Sequence, residues 1–134
     1  MLTSESVTEG HPDKLCDQIS DAIVDHFLKQ DPRAQVRAEC AVSSAIIFIA
    51  ARFASDAKVD FAHVARKVIK RIGYDQPDFN AQICSILSAP QALPIDKSGQ
   101  FDEEKLTEAQ IKRIAAKNQV TLFGFACDQT PALM

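Results

Sequence analysis

The sequence predicts an α+β domain in two layers, with its elements in the order β-α-β-β-α-β-(loop, helix)-β. Three observations predict it. Two stretches carry apolar residues at three- and four-residue steps, the period of a helix with one buried face. Between and after them lie runs of β-branched and small apolar residues, which suit strands. The first such run is long enough for a hairpin. Helices are therefore interspersed with hairpin-joined strands, without strict βαβ crossovers, and this favours α+β over a doubly wound sheet.

Residues 2–8 are short and β-compatible, and Gly10-His11-Pro12 breaks them. A helix follows at once, because Pro12 suits the first helical position, where its missing N–H would be unpaired anyway. Leu15, Ile19, Ala22, Ile23 and Phe27 form its apolar face, Asp13, Asp17, Asp21 and Asp25 step along another side, and Asp31-Pro32 marks the exit. Residues 36–53 read as strand, with Glu39 and Arg52 as polar exceptions, and their length implies a hairpin turning near Ser43-Ser44. Residues 60–73 form a second helix with Phe61, Val64, Ala65, Val68, Ile69 and Ile72 inward, stopped by Gly73. Residues 81–89 and 120–127 read as two further strands. The stretch between them, 90–118, begins as a Pro/Gly-containing loop and continues from Glu103 as a helix with Leu106, Ile111, Ile114 and Ala115 on its apolar side. Such an insert between core strands is where binding function tends to sit.

Composition narrows the class. A hydrophobic share of 46% with 25% charged residues is ordinary for a soluble globular domain. The formal net charge of -3 supplies no electrostatic reason to expect nucleic acid or an anionic membrane as partner. The longest apolar stretch, 45–51, is far below the ~20 residues a membrane helix needs, and without a basic segment followed by an apolar run at the start no signal peptide is expected. Cys16, Cys40, Cys84 and Cys127 show neither C-x-x-C nor zinc-finger spacing, so reduced thiols in a cytoplasmic protein are expected.

The chemically informative run is Ser4-Glu5-Ser6-Val7-Thr8-Glu9-Gly10-His11-Pro12-Asp13-Lys14. It places an imidazole, a carboxylate and an ammonium at a helix start, whose unpaired N–H groups and positive dipole end favour phosphate. His11 can donate to a phosphoryl oxygen or a leaving group, Asp13 is a hard oxygen ligand suited to Mg²⁺, and Lys14 adds positive charge. The bland alternative is that Asp13 merely complements the helix dipole while His11 caps the helix or lies in solvent.

Residues 4–22 resemble, nearly position for position, the amino-terminal signature of methionine adenosyltransferases, S-E-S-V-[ST]-E-G-H-P-D-K-[ILV]-x-D-Q-I-S-D-A. The likeness continues through Asp31-Pro32, Val36-Arg37-Ala38-Glu39, Ile72-Gly73-Tyr74, Cys84 with Leu87-Ser88-Ala89, and Leu122-Phe123-Gly124-Phe125-Ala126, and is weakest over 90–117. The resemblance implies the two-layer β-α-β-β-α-β-β domain of the S-adenosylmethionine synthetase type, a single domain over 1–134 with a variable insert at 90–118. It implies an enzyme that joins ATP and L-methionine: the sulfur attacks the ribose C5′ and displaces triphosphate, which is then hydrolysed. By family position His11 stabilises the triphosphate and its bridging oxygen, Lys14 contributes to ATP binding, Asp13 binds Mg²⁺ and Glu39 binds K⁺.

Three departures concern the methionine end. The family's V-K-T-G turn and following G-G-E stand here as Val42-Ser43-Ser44-Ala45 and Ala50-Ala51-Arg52, so a cation replaces the glutamate that meets the methionine ammonium. A substrate-facing aspartate becomes Asn118, which keeps an acceptor but loses the charge. Gln91 stands near, but out of register with, the family's gating-loop glutamine. Family members are considerably longer, with sites formed between subunits. The 134 residues are therefore expected to be a domain cut from, or encoded apart from, the rest, needing a homo-oligomer or a companion chain with the remaining domains. A catalytically silent assembly or regulatory subunit is the alternative.

Overall fold

The computed structural model describes residues 6–95, 105–114, 124 and 126–133, and the chain forms two compact units, residues 1–100 and 101–134. In the first unit α1 runs Pro12–Gln30 with Pro at its start, and its buried residues Leu15, Ile19, Ile23 and Phe27 are the face expected from their spacing. β1, Gln35–Ser43, and β2, Ile46–Ala54, form the expected antiparallel hairpin, in register from Gln35 opposite Ala54 to Ser43 opposite Ile46. Ser44 makes the turn at φ 51, a left-handed conformation that a glycine would adopt more readily. α2, Phe61–Ile72, is capped at its start by the Asp60 side chain, which accepts from the His63 amide, and at its end by Gly73 at φ 95.

β3 is Ser85–Ala92 and pairs parallel with β2, giving the order β1-β2-β3. The fold is thus α+β with a mixed sheet, and β2-α2-β3 is a crossover unit that the sequence reading did not include. The strand also starts and ends later than its composition suggested. Residues 81–84 cannot join the ladder because their backbone groups are already taken. The Asn80 side chain accepts from the amides of Gln82 (2.9 Å) and Ile83 (3.1 Å), and Arg66 of α2 donates to the carbonyls of Ala81 (2.6 Å) and Cys84 (3.1 Å). At the other end Pro90 is tolerated because β3 is the edge strand among the described residues, so Pro90, Gln91 and Ala92 belong to the sheet and not to a loop.

Both helices lie on one face of the sheet. β2 supplies that face with Ile47, Ile49 and Ala51, which join the α1 residues and Phe61, Val64, Ala65, Val68 and Ile69 of α2 in one core. Phe27, Phe53 and Phe61 meet in a tilted aromatic cluster with ring centroids 4.8–6.4 Å apart. The opposite face carries Phe48 and Leu87, 46% and 54% exposed.

The remaining expectations fare differently. Residues 6–8 form no strand, and the rest of that first strand lies outside the described residues, as does most of 120–127. In the second unit the expected helix from Glu103 is described only as α3, Glu108–Ile111, started by a Thr107/Gln110 capping box, with Ile111 and Ile114 exposed.

Phe27→Ala should cost about 3–5 kcal/mol in urea unfolding, because it opens a cavity where both helices and β2 meet. Gly73→Ala should cost about 1 kcal/mol through the left-handed backbone alone, since no atom lies within 4 Å of the added Cβ, and Gly73→Asn should cost less.

Candidate functional site

His11 and Asp13 come together at the opening of α1. His11 is the N-cap, and its Nδ1 accepts the Asp13 amide at 3.2 Å and lies 3.9 Å from the Asp13 carboxylate. An Nδ1 that accepts leaves the ring proton on Nε2, so the capping imidazole keeps a free donor face. Capping and anion binding are therefore compatible roles for one ring. The Asp13 side chain is 89% exposed and His11 42%, while Lys14 is half-buried. A single open carboxylate fits Mg²⁺ only when phosphate oxygens and water complete the shell, which is how this ion commonly binds polyphosphate. Among the described residues no group of three or more His, Cys, Asp or Glu could hold a metal by itself.

Glu39, Arg52 and Gln91 also come together, but elsewhere. They line a cleft of about 310 Å³ on the sheet face away from the helices, with Arg37 beside them and Ala50 and Ala89 on its floor. Register explains the grouping: Arg37 lies opposite Arg52, and Arg52 opposite Gln91, so the three form one row across the sheet. Arg52 Nε donates to Gln91 Oε1 at 2.9 Å. Glu39 sits in the next row, opposite Ala50 and then Ala89. The Arg52 guanidinium in the same cleft opposes a bare K⁺ at Glu39, and a single carboxylate beside it does not suit that ion without further oxygen ligands. Asn118 lies outside the described residues.

The two groups are far apart within one copy. Pro12 faces Val42 and Ser44 at the hairpin turn, whereas Arg52 lies eight residues along β2 from Ser44. At the usual rise of a strand that is roughly 25 Å, and on the opposite face from α1.

Two features escaped the sequence reading. Tyr74 donates its hydroxyl to the Gly10 carbonyl and packs edge-on against Phe79 at 4.9 Å, so the residue before His11 is held from the segment after α2. Ile72-Gly73-Tyr74 stood only as a fragment of resemblance, with no spacing to signal a contact across 64 positions. Gln18 of α1 has a buried Oε1 without a hydrogen-bond partner among the described residues.

Residues 1–93 match the family described as S-adenosylmethionine synthetase, N-terminal domain. The S-adenosylmethionine synthase of Trichodesmium erythraeum (strain IMS101) is 44% identical over 142 residues, covering 100% of this chain and 34% of that protein. Those of Parasynechococcus marenigrum (strain WH8102) and Prochlorococcus marinus (strain MIT 9313) are 44% and 42% identical, again over 100% of this chain and 33% of theirs. The chain spans about a third of the length of these relatives.

All four thiols are free, and only Cys84 is fully buried. Cys16 of α1 and Cys40 of β1 face each other as hydrogen-bonding partners. Burial pushes the Cys40 thiol up to about 12, reinforced by Cys16, and burial likewise raises Cys16. A raised thiol favours the folded state while protonated, so this stability is complete below pH 9 and is lost as pH rises from 9 toward 12. The melting temperature should therefore fall across that window, and Cys40→Ala should flatten the fall. An unchanged slope in the variant would refute the assignment.

Proposed function

The chain belongs to the S-adenosylmethionine synthetase N-terminal domain family, and from that premise we propose that it supplies the triphosphate-binding end of an ATP:L-methionine adenosyltransferase site. The observation that carries this reading is the pairing of His11 and Asp13 at the open start of a 19-residue helix. The leaving group is a polyanion, and the amides and dipole at the α1 start favour it. His11 is held by its Nδ1 cap and offers Nε2–H to a triphosphate oxygen as charge develops. Lys14 adds a cation one residue beyond Asp13. Asp13 would hold Mg²⁺, which when bound neutralises the phosphates and assists departure of the triphosphate.

Arg52 and Gln91, with Asn118, stand at the positions that meet the amino-acid substrate in this reading. K⁺ is proposed for the assembled enzyme with Glu39 as its ligand by family position, although the neighbouring Arg52 guanidinium opposes it and no step is routed through it. The roughly 25 Å between the two groups supports a site completed by other protein: a second copy against the sheet face away from the helices, or the remaining domains in the same polypeptide or a companion chain. Residues 1–134 are then one domain, and of the stretch 90–118 the variable insert is the part beyond β3, where the family match ends at residue 93. The described residues contain no helix long and apolar enough to cross a membrane. Cytoplasmic location and the absence of nucleic-acid or membrane partners remain part of the same reading.

The arginine at position 52 favours a second reading, in which the chain keeps the fold and serves as an assembly or regulatory subunit without turnover. The two readings separate in the assembled protein supplied with ATP, methionine, Mg²⁺ and K⁺. His11→Asn keeps a capping acceptor but removes the Nε2 donor, so it should fold normally and release phosphate about 100-fold or more slowly. A wild-type rate in that variant would remove His11 from the mechanism, and no release by the unmodified assembly would favour the silent subunit.

A further inference from the structure

We propose that Tyr74 is a positioning residue for the adenosyl transfer, holding the Gly10–His11 peptide so that the His11 imidazole presents Nε2–H at a fixed place beside the start of α1. The role rests on the proposed use of His11 toward the triphosphate and adds to it the contact that fixes the ring.

The local contacts of His11 leave one freedom unrestrained. Its amide donates to the Thr8 carbonyl at 3.0 Å, its carbonyl accepts from the Leu15 amide at 2.9 Å, and its Nδ1 accepts the Asp13 amide. All these partners lie within four residues of His11, so they move with the turn and the helix end to which they belong. Directly before stands Gly10, which is exposed and has no atom among the described residues within 4 Å of an added Cβ. A glycine in open space gives the chain its widest choice of backbone angles at the point where the imidazole must be aimed.

Tyr74 supplies the restraint from outside that segment. Its hydroxyl donates to the Gly10 carbonyl. Because the peptide unit is planar, the Gly10 carbonyl and the His11 amide turn together. Tyr74 holds one edge of that plane and Thr8 the other, so rotating it would break both hydrogen bonds. Tyr74 is itself fixed. It follows the α2 cap Gly73, its amide donates to the Ile69 carbonyl at 3.4 Å, and its ring stands edge-on to the buried core residue Phe79. A bridge between Asp75 and Asn80 closes the segment that joins the two rings. The core thus reaches the peptide before α1 through the Tyr74 hydroxyl.

A donor aimed at developing charge acts only if it is in place when the bond breaks. Loosening His11 therefore slows the step more than it weakens substrate binding, because Asp13, Lys14 and the helix start still meet the phosphates of the ground state.

Tyr74→Phe tests this, since it keeps the ring on Phe79 and removes only the hydroxyl. One readout needs no turnover: proton–nitrogen correlation of the His11 ring, and nitrogen relaxation of the His11 and Asp13 amides, in the full 134-residue chain at a pH where the imidazole is neutral. The unmodified chain should show one tautomer with the proton on Nε2. Tyr74→Phe should show a mixture of tautomers and faster amide motion at a nearly unchanged melting temperature. Gly10→Ala added to Tyr74→Phe should restore part of the single-tautomer signal by narrowing the backbone, a rescue that a merely structural role of Tyr74 would not give. In the assembled protein with ATP, methionine, Mg²⁺ and K⁺, Tyr74→Phe should lower kcat about tenfold while KM for ATP changes less than about twofold. A ring and amide signature in Tyr74→Phe equal to that of the unmodified chain would overturn the proposal. So would a loosened ring with unchanged kcat in an assembly that His11→Asn slows. An unchanged rate in His11→Asn, or no turnover at all, would instead strike the role of His11 in the reaction and that of Tyr74 with it, so the two failures are told apart.

Discussion

Everything functional here hangs on the burial of one face of β2 beneath two helices. Ile47, Ile49 and Ala51 pack under α1 and α2, and each fully buried isoleucine, leucine or phenylalanine in that layer contributes on the order of 1.5–3 kcal/mol. Because side chains alternate along a strand, burying those three residues obliges Phe48, Ala50 and Arg52 to face the other way. The cleft is therefore a consequence of the core. A slip of one residue in β2 would send Arg52 into the helix layer and Ile47 to solvent.

The same packing sets α1. Its apolar stripe fixes its rotation on the sheet, so the His11–Asp13 end arrives beside the hairpin turn with Asp13 in water. Tyr74 then ties down Gly10, coupling the position of the cap to the segment beyond α2. Two separate polar regions result from one scaffold: a helix opening that carries His11 and Asp13, and a sheet surface that carries Glu39, Arg52 and Gln91.

Arg52 stands on the sheet face away from the helices, and its setting shows how a charged side chain is accommodated there. On an open face it brings no burial penalty, Gln91 from the neighbouring strand receives its Nε, and Arg37 adds a second cation in the same row.

Much of the fold was legible without coordinates because its signals are local. The three- and four-residue spacing of Leu15, Ile19, Ile23 and Phe27, the stops at Asp31-Pro32 and Gly73, and the length of the 36–53 run each encode a choice the backbone makes within a few residues. The signature around His11-Pro12-Asp13 was legible for the same reason, since adjacent residues at a helix start must share its geometry. The parallel placement of β3, the delay of its start to Ser85, and the row formed by Arg37, Arg52 and Gln91 were not. They depend on Arg66 and Asn80 capturing backbone groups and on strand register, which is settled only when distant segments meet over a common core. Sequence alone determined which surfaces would seek burial; the tertiary structure decided which polar residues were left facing one another when they found it.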